Sequence, residues 1–146
     1  MRWMKILGLI ALLATFSCKK DQSGELRYFE VGLRHLSQDW RDSSFVVATS
    51  NPNLLYQVEE QLKLPVEKRS NVSGKLLEGN AGYNRNGSHV FTWHLDENDW
   101  QLVNLSVEIY DGSPFSDVEQ NKMYWMNDVK RFAPWGSYIK REIPRR

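Results

Sequence analysis

The chain has 146 residues, with 19 basic and 18 acidic side chains, so its formal net charge is +1. A charged fraction of 25% beside an apolar fraction of 41% is typical of a globular domain and excludes disorder throughout the chain. The near-neutral charge argues against nucleic acid as a partner, and a single cysteine excludes an internal disulfide framework or a zinc site built mainly from cysteine.

Residues 1–17 have the pattern of an export signal. Arg2 and Lys5 precede the apolar run 6–14, which is too short to cross ~30 Å of hydrocarbon as a membrane helix. The only cysteine, Cys18, follows Ser17, and residues 18–26 form a polar tether. This arrangement resembles a bacterial lipoprotein signal, in which the cysteine is lipidated and becomes the first residue of the mature chain. We therefore predict lipid anchoring through Cys18 in the cell envelope, at the outer membrane or facing the periplasm.

Two other interpretations of this segment stay open. One is a plain secretory signal with an incidental cysteine, and the other is a short membrane anchor that is never cleaved. The position of Cys18, with no other cysteine in the chain, favours lipidation. Each acyl CH2 group buried in the membrane would contribute ~0.8 kcal/mol of binding.

The predicted globular domain, residues 27–146, begins with two strands and a helix. Partial alternation across 26–36 and the β-branched run 44–49 predict the strands. Asn51 and Pro52 are suited to the cap and the first residue of a helix that closes before Pro65. Four apolar side chains of this helix share one face: Leu54, Leu55, Val58 and Leu62.

The second half of the domain predicts four more strands and a second helix. Strands are expected at 71–77, 90–95 and 100–110, and the polar turn 96–99 joins the last two as an antiparallel hairpin. The helix starts at Ser113 or Ser116 and runs to about Phe132, and a last strand spans 137–143. The side chains expected to face inward are Phe91, Trp93, Leu95, Val103, Leu105, Val107, Ile109, Val118, Trp125, Met126 and Val129.

This order of elements predicts an α+β fold. We expect a single antiparallel or mixed sheet of about five to six strands with two helices on one face.

Five separated blocks carry a resemblance to a known family. They are Trp-His-Leu at 93–95, Glu-Ile-Tyr-Asp-Gly at 108–112, Val-Glu at 118–119, Phe-Ala-Pro-Trp-Gly-Ser at 132–137 and Glu-Ile at 142–143. From about Tyr28 to Ile143 the chain resembles the calmodulin-binding-protein N-terminal domain family. The resemblance implies a fold more than an activity, because the calmodulin label has little meaning for a bacterial lipoprotein.

The chain departs from the family pattern at two positions. Tyr110 and Ala133 stand where the family usually has cysteines. A paired loss is what a lost disulfide would look like. The resemblance therefore implies that the exit of the long strand lies near residues 132–135.

A group of titratable residues offers one kind of chemistry. Glu108, Asp111 and Glu119, with His94, would suit a small hydrolase or a metal-dependent enzyme. The structural alternative is that Asp111 serves a turn and Glu119 a helix dipole. Because neighbouring strand residues face opposite ways, Trp93 is expected in the core and His94 on the other face. No metal or cofactor is predicted.

Aromatic and polar residues offer a second kind of chemistry. Trp135, Ser137 and Tyr138, together with the 79–86 loop that carries Tyr83 and Arg85, have groups that would suit a ligand if they converge, although Trp135 would also suit the core. We therefore expect a non-enzymatic binding module for a protein or a small molecule. The alternatives are the small envelope enzyme above and an inhibitor or immunity-type protein that presents the 79–86 loop.

Overall fold

The computed structural model describes residues 24–35 and 37–144. The predicted signal, Cys18 and most of the tether lie outside these residues. The strands, in chain order, are β1 (Arg27–Leu33), β2 (Ser44–Thr49), β3 (Asn71–Glu78), β4 (Arg85–Asn86), β5 (His89–Val90), β6 (Trp93–Val103), β7 (Arg131–Phe132) and β8 (Ser137–Ile143). The mixture of helix and strand confirms the predicted α+β class.

The first helix, α1 (Pro52–Leu62), forms for the local reasons that the sequence indicates. The Asn51 side chain accepts hydrogen bonds from the backbone N–H groups of Asn53 and Leu54, and Pro52 occupies the first turn. Leu54 and Val58 are buried, so the predicted stripe faces the core. No helix in the described parts of the chain is long and apolar enough to cross a membrane.

The predicted single sheet is wrong in detail, because the strands form separate antiparallel sheets. One sheet has the order β2-β1-β8, a second has the order β6-β3-β7, and β4 pairs with β5 alone. Aromatic side chains from both three-stranded sheets meet in one core. The rings of Phe45 on β2 and Phe132 on β7 lie 5.6 and 5.5 Å, respectively, from the ring of Trp93 on β6.

The predicted hairpin between 90–95 and 100–110 is also wrong. Residues on both sides of the polar 96–99 segment belong to β6, and both pair with β3, since Leu95 lies opposite Leu76 and Trp100 opposite Gly74. The extra residues of β6 bulge out of the ladder instead of reversing the chain. A Cβ atom at Gly74 would lie only 2.7 Å from Leu95 and Trp100 side-chain atoms, so this position admits no larger residue without a shift.

The inward direction predicted for Leu105, Val107 and Ile109 is wrong. These side chains are 76%, 57% and 57% exposed. Their alternation has no sheet to face, because β6 ends at Val103 and the chain then turns through the 3₁₀ segment Glu108–Tyr110. Phe91, Trp93 and Leu95 are buried as predicted.

The second helix is irregular instead of one continuous α-helix. Two π-helical segments, Pro114–Glu119 and Trp125–Val129, flank a single α-helical turn, α2 (Lys122–Tyr124). Val118, Trp125 and Val129 nevertheless face the core as predicted. Neither Ser113 nor Ser116 caps the segment, because the Asp42 carboxylate accepts from the N–H groups of Phe115 and Ser116 at 2.8 and 2.9 Å.

Candidate functional site

The largest cavity lies between the 81–87 loop and one face of the β2-β1-β8 sheet, and we name it the loop cavity. Its volume is about 340 Å³, within the ~300–1,000 Å³ typical of ligand sites. The sheet contributes Tyr28, Glu30, Ser44, Val46, Arg141 and Ile143. The loop contributes Tyr83, Arg85 and Asn86 beside backbone from its small residues.

Two buried anchors hold this loop against the sheets. The Asn84 side chain is fully buried; its Oδ1 accepts from the Val46 N–H at 2.9 Å and its Nδ2 donates to the Trp93 carbonyl at 2.8 Å. The Tyr83 ring packs on Tyr28 with a centroid distance of 5.4 Å. The Tyr83 hydroxyl donates to Glu97 at 2.9 Å, and burial together with this carboxylate raises the pKa of Tyr83 far above its usual range.

The loop cavity carries unequal charges. Glu30 accepts from Lys140 at 2.9 Å and from Arg141 at 2.6 Å. Burial raises the pKa of Glu30, but these two hydrogen bonds outweigh burial and hold the pKa below its usual value. Arg85, in contrast, has no hydrogen bond or ion pair with any residue that the structure describes. The cavity therefore contains one guanidinium group whose charge is not neutralised.

A second cavity, of about 320 Å³, is formed around Trp135, and we name it the Trp135 cavity. The two cavities share no lining residue. The predicted convergence of the 79–86 loop and the 135–138 stretch on one ligand therefore does not occur. Trp135 is 47% exposed, so it is not a core residue.

Asp111 and Ser137 hold the backbone around the Trp135 cavity. The Asp111 carboxylate accepts from the Trp135 N–H at 2.6 Å and the Gly112 N–H at 2.9 Å. Ser137 is fully buried, and its Oγ accepts from the Val72 N–H at 2.9 Å, which joins β8 to β3. Gly136 between them has a φ of +75°, a conformation that favours glycine.

His94 and Trp93 have structural contacts. The Trp93 side chain is fully buried, as predicted. His94 is 8% exposed, and its Nδ1 lies 2.7 Å from the Gly79 carbonyl, to which it donates because a carbonyl oxygen only accepts. His94 thus holds the start of the 79–87 loop, and its Nε2 lies 3.9 Å from a Glu97 carboxylate oxygen.

The remaining predicted carboxylates lie in separate local environments. Glu119 ends the first π-helical segment, where its carboxylate accepts from the Thr92 N–H and hydroxyl, both at 3.0 Å. Its role is to connect the helical segment to the residue before β6, since a position at the end of the segment is wrong for the predicted dipole interaction. Glu108 is exposed on the 3₁₀ turn. No group of three His, Cys, Asp or Glu side chains suited to a metal occurs in the described ranges.

Sequence reasoning missed the two polar residues that organise the loops. Asn84 falls in a run rich in Gly and Asn, where a turn role hides its long-range contacts. Asp42 is 1% exposed and accepts hydrogen bonds from residues more than 70 positions away. Only the tertiary contact distinguishes these side chains from ordinary loop residues.

The two positions where the family usually has cysteine lie beside each other. The Ala133 N–H donates to the Tyr110 carbonyl at 2.8 Å. The Ser106 hydroxyl donates to the Ala133 carbonyl, which fixes the same crossing from the other side. The predicted proximity of residue 110 to the 132–135 stretch is therefore confirmed.

Comparison with known proteins agrees with the resemblance in the signature blocks. A family model described as the BP-74 N-terminal domain matches residues 25–146. Searches of curated proteins and of solved structures return no significant match. Because the matched region covers most of the chain, the protein belongs to the BP-74 N-terminal domain family.

Proposed function

We propose that this chain is a lipid-anchored protein of the bacterial cell envelope whose folded domain is a non-enzymatic binding module. The signal pattern of residues 1–17 and the position of Cys18 support the anchor. The local contacts of Asp111, Glu119 and His94 support binding over catalysis, because each group already satisfies a backbone or hydroxyl partner.

The loop cavity is the observation that carries the binding proposal. Its walls combine aromatic rings, aliphatic side chains and the unpaired guanidinium of Arg85. Burial of apolar surface supplies affinity, and a charge-assisted hydrogen bond supplies orientation. The ligand class that fits is a small molecule with an apolar ring and one carboxylate.

The anchor is tested by metabolic labelling with a clickable palmitate analogue in cells that produce the wild-type chain or the Cys18→Ser variant. We expect label in the membrane fraction for the wild type and none for the variant. Equal labelling of both chains, or an unlabelled wild type, would contradict the anchor while leaving the binding proposal unaffected.

The loop cavity is tested with 3-phenylpropionate and its uncharged amide as probes. Ligand-observed NMR on the full chain in detergent should show saturable binding of the carboxylate and weaker binding of the amide. Arg85→Gln should weaken carboxylate binding about tenfold. Lys75→Gln removes an exposed positive charge outside both cavities and is the matched control. Equal affinities in these two variants, or no saturation by the carboxylate, would refute this site.

A further inference from the structure

The Trp135 cavity has a strong excess of positive charge. Arg34, Lys68 and Arg69 line it against one carboxylate, Glu67, which leaves an excess of two positive charges. Charges in a partly enclosed cleft attract counter-ions more effectively than the same charges on an open surface. The cavity is therefore suited to an anion.

The two guanidinium groups are held by carbonyl oxygens and not by carboxylates. Arg34 donates to the carbonyls of Val66 and Arg69 at 2.7 Å each. Arg69 donates to the carbonyls of Ile139 at 2.7 Å and Leu64 at 3.0 Å. These contacts fix the positions of the groups without cancelling their charge, and none of the three cations has a carboxylate partner among the described residues.

Asn71 provides an independent sign of a ligand. This residue lines the cavity and is 6% exposed, yet its side-chain amide has no hydrogen bond to any part of the chain that the structure describes. Polar side chains buried to this degree normally have a partner. A polar ligand in the cavity would supply one.

Trp135 adds an apolar surface to this polar cavity. Its indole is half exposed, and its backbone is held by the Asp111 carboxylate at 2.6 Å. A Cβ at Gly136 would lie 3.0 Å from the His35 ring, so glycine permits the close approach of His35 to the same rim. An exposed indole beside amide and hydroxyl groups fits a ligand that has both a C–H face and hydroxyl groups.

We propose that the Trp135 cavity binds an acidic monosaccharide. Its carboxylate is attracted by Lys68 and the two arginines, its ring packs on Trp135, and its hydroxyl groups reach Asn71 and Asn104. The volume lies at the lower end of the ~300–1,000 Å³ range of ligand sites, which suits a single sugar unit. This site is independent of the loop cavity and of lipid anchoring.

The test measures binding of glucuronate, glucose, glucose 6-phosphate and inorganic phosphate to the full chain by ligand-observed NMR. We expect saturable binding of glucuronate that weakens with added salt, and much weaker binding of glucose. Equal binding of glucose would refute the role of charge. Binding of inorganic phosphate or glucose 6-phosphate as tight as that of glucuronate would overturn the assignment to a carboxylated sugar.

Charge variants of opposite sign sharpen the test. Lys68→Gln should weaken glucuronate binding about threefold and Glu67→Gln should strengthen it about threefold, as expected for exposed charges. Lys68→Arg should retain the wild-type affinity, and Lys75→Gln is the matched control for loss of an exposed lysine. Identical affinities in Lys68→Gln and Glu67→Gln would refute the proposal.

The aromatic contribution is tested with two exposed tryptophans. Trp135→Ala should weaken glucuronate binding about tenfold, since the ring face loses its apolar surface. Trp40→Ala is the control, because Trp40 is 53% exposed and lines neither cavity. Thermal unfolding of each variant checks that it is folded. Unchanged affinity in a folded Trp135→Ala variant would contradict the proposal.

Discussion

Asp42 is a buried carboxylate that organises the start of the second helical segment. It accepts from the Phe115 and Ser116 N–H groups and from the hydroxyls of Ser37 and Ser116. The Asp42→Asn variant would present an NH2 group where two donors already point, so one or more donors would lose their partner. We expect a loss of about 3 kcal/mol in the free energy of unfolding, measured by urea denaturation. Asp128→Asn, at an exposed position, should change this value by less than ~0.5 kcal/mol.

The contribution of Asp42 should also depend on pH. Burial raises the pKa of Asp42, but the hydrogen bonds from Ser116, Ser37 and Phe115 outweigh burial and hold the pKa below its ordinary value of 3.8. A group with a lowered pKa in the folded state stabilises the protein above the unfolded pKa and loses this effect as the pH falls through the folded pKa. The stability difference between the wild type and Asp42→Asn should therefore be constant above about pH 5 and shrink below about pH 4. A difference that grows with acid would contradict this account.

Asn84 links the 79–87 loop to two strands through one side chain. Asn84→Ala removes the acceptor for the Val46 N–H and the donor for the Trp93 carbonyl, and both backbone groups lie in buried residues. We expect a loss of about 2–3 kcal/mol in the free energy of unfolding, because buried polar groups without partners are costly. Asn127→Ala, at an exposed position, is the control and should be nearly neutral. Equal stability of the two variants would show that the loop needs no such anchor.

Among the secondary-structure elements, the contact between Tyr110 and Ala133 joins the turn after β6 to the segment after β7. Their backbones are joined by a 2.8 Å hydrogen bond at the two positions where the family usually has cysteine. In a Cys18→Ser background, Tyr110→Cys with Ala133→Cys should form a disulfide under oxidising conditions. Closing this loop should stabilise the fold by about 3 kcal/mol, partly offset by the lost packing of the Tyr110 ring.

A thiol assay and urea denaturation with and without reductant measure this effect. The Tyr110→Cys single variant is the control, since it loses the ring without gaining a bridge. Free thiols that persist in the oxidised double variant would show that the two side chains do not approach as the backbone contact suggests.

Across the domain as a whole, Trp100 connects the two three-stranded sheets. This residue of β6 is 5% exposed, and its indole N–H donates to the Ala48 carbonyl of β2 at 2.7 Å. Trp100→Phe leaves that carbonyl without this partner, so we expect a loss of about 1–2 kcal/mol in the free energy of unfolding. Trp40→Phe, at an exposed position, should stay within ~0.5 kcal/mol of the wild type in the same urea titration. An equal effect of the two substitutions would argue against a connecting role for the indole.

Local signals made several elements predictable. Asn51 and Pro52 start α1 through groups within three residues, and the strands Ser44–Thr49 and Ser137–Ile143 have the predicted bounds. The polar 96–99 segment was not predictable in this way, because its composition suits a turn and a bulge equally well. Pairing of both flanking halves with β3 decides for the bulge. Leu105, Val107 and Ile109 alternate like a strand, but no neighbouring strand in the described part of the chain pairs with them.

Short stretches of sequence were enough to establish the α+β class, the start of α1, the buried face of Phe91, Trp93 and Leu95, and the family to which the chain belongs. These features depend on caps, alternation and signature blocks that can be read over a few residues. Long-range packing was needed to establish the division into two sheets, the cap that Asp42 supplies, and the separation of the loop cavity from the Trp135 cavity. Such features join side chains from distant parts of the chain, and a local pattern contains no information about which distant segment will lie beside it.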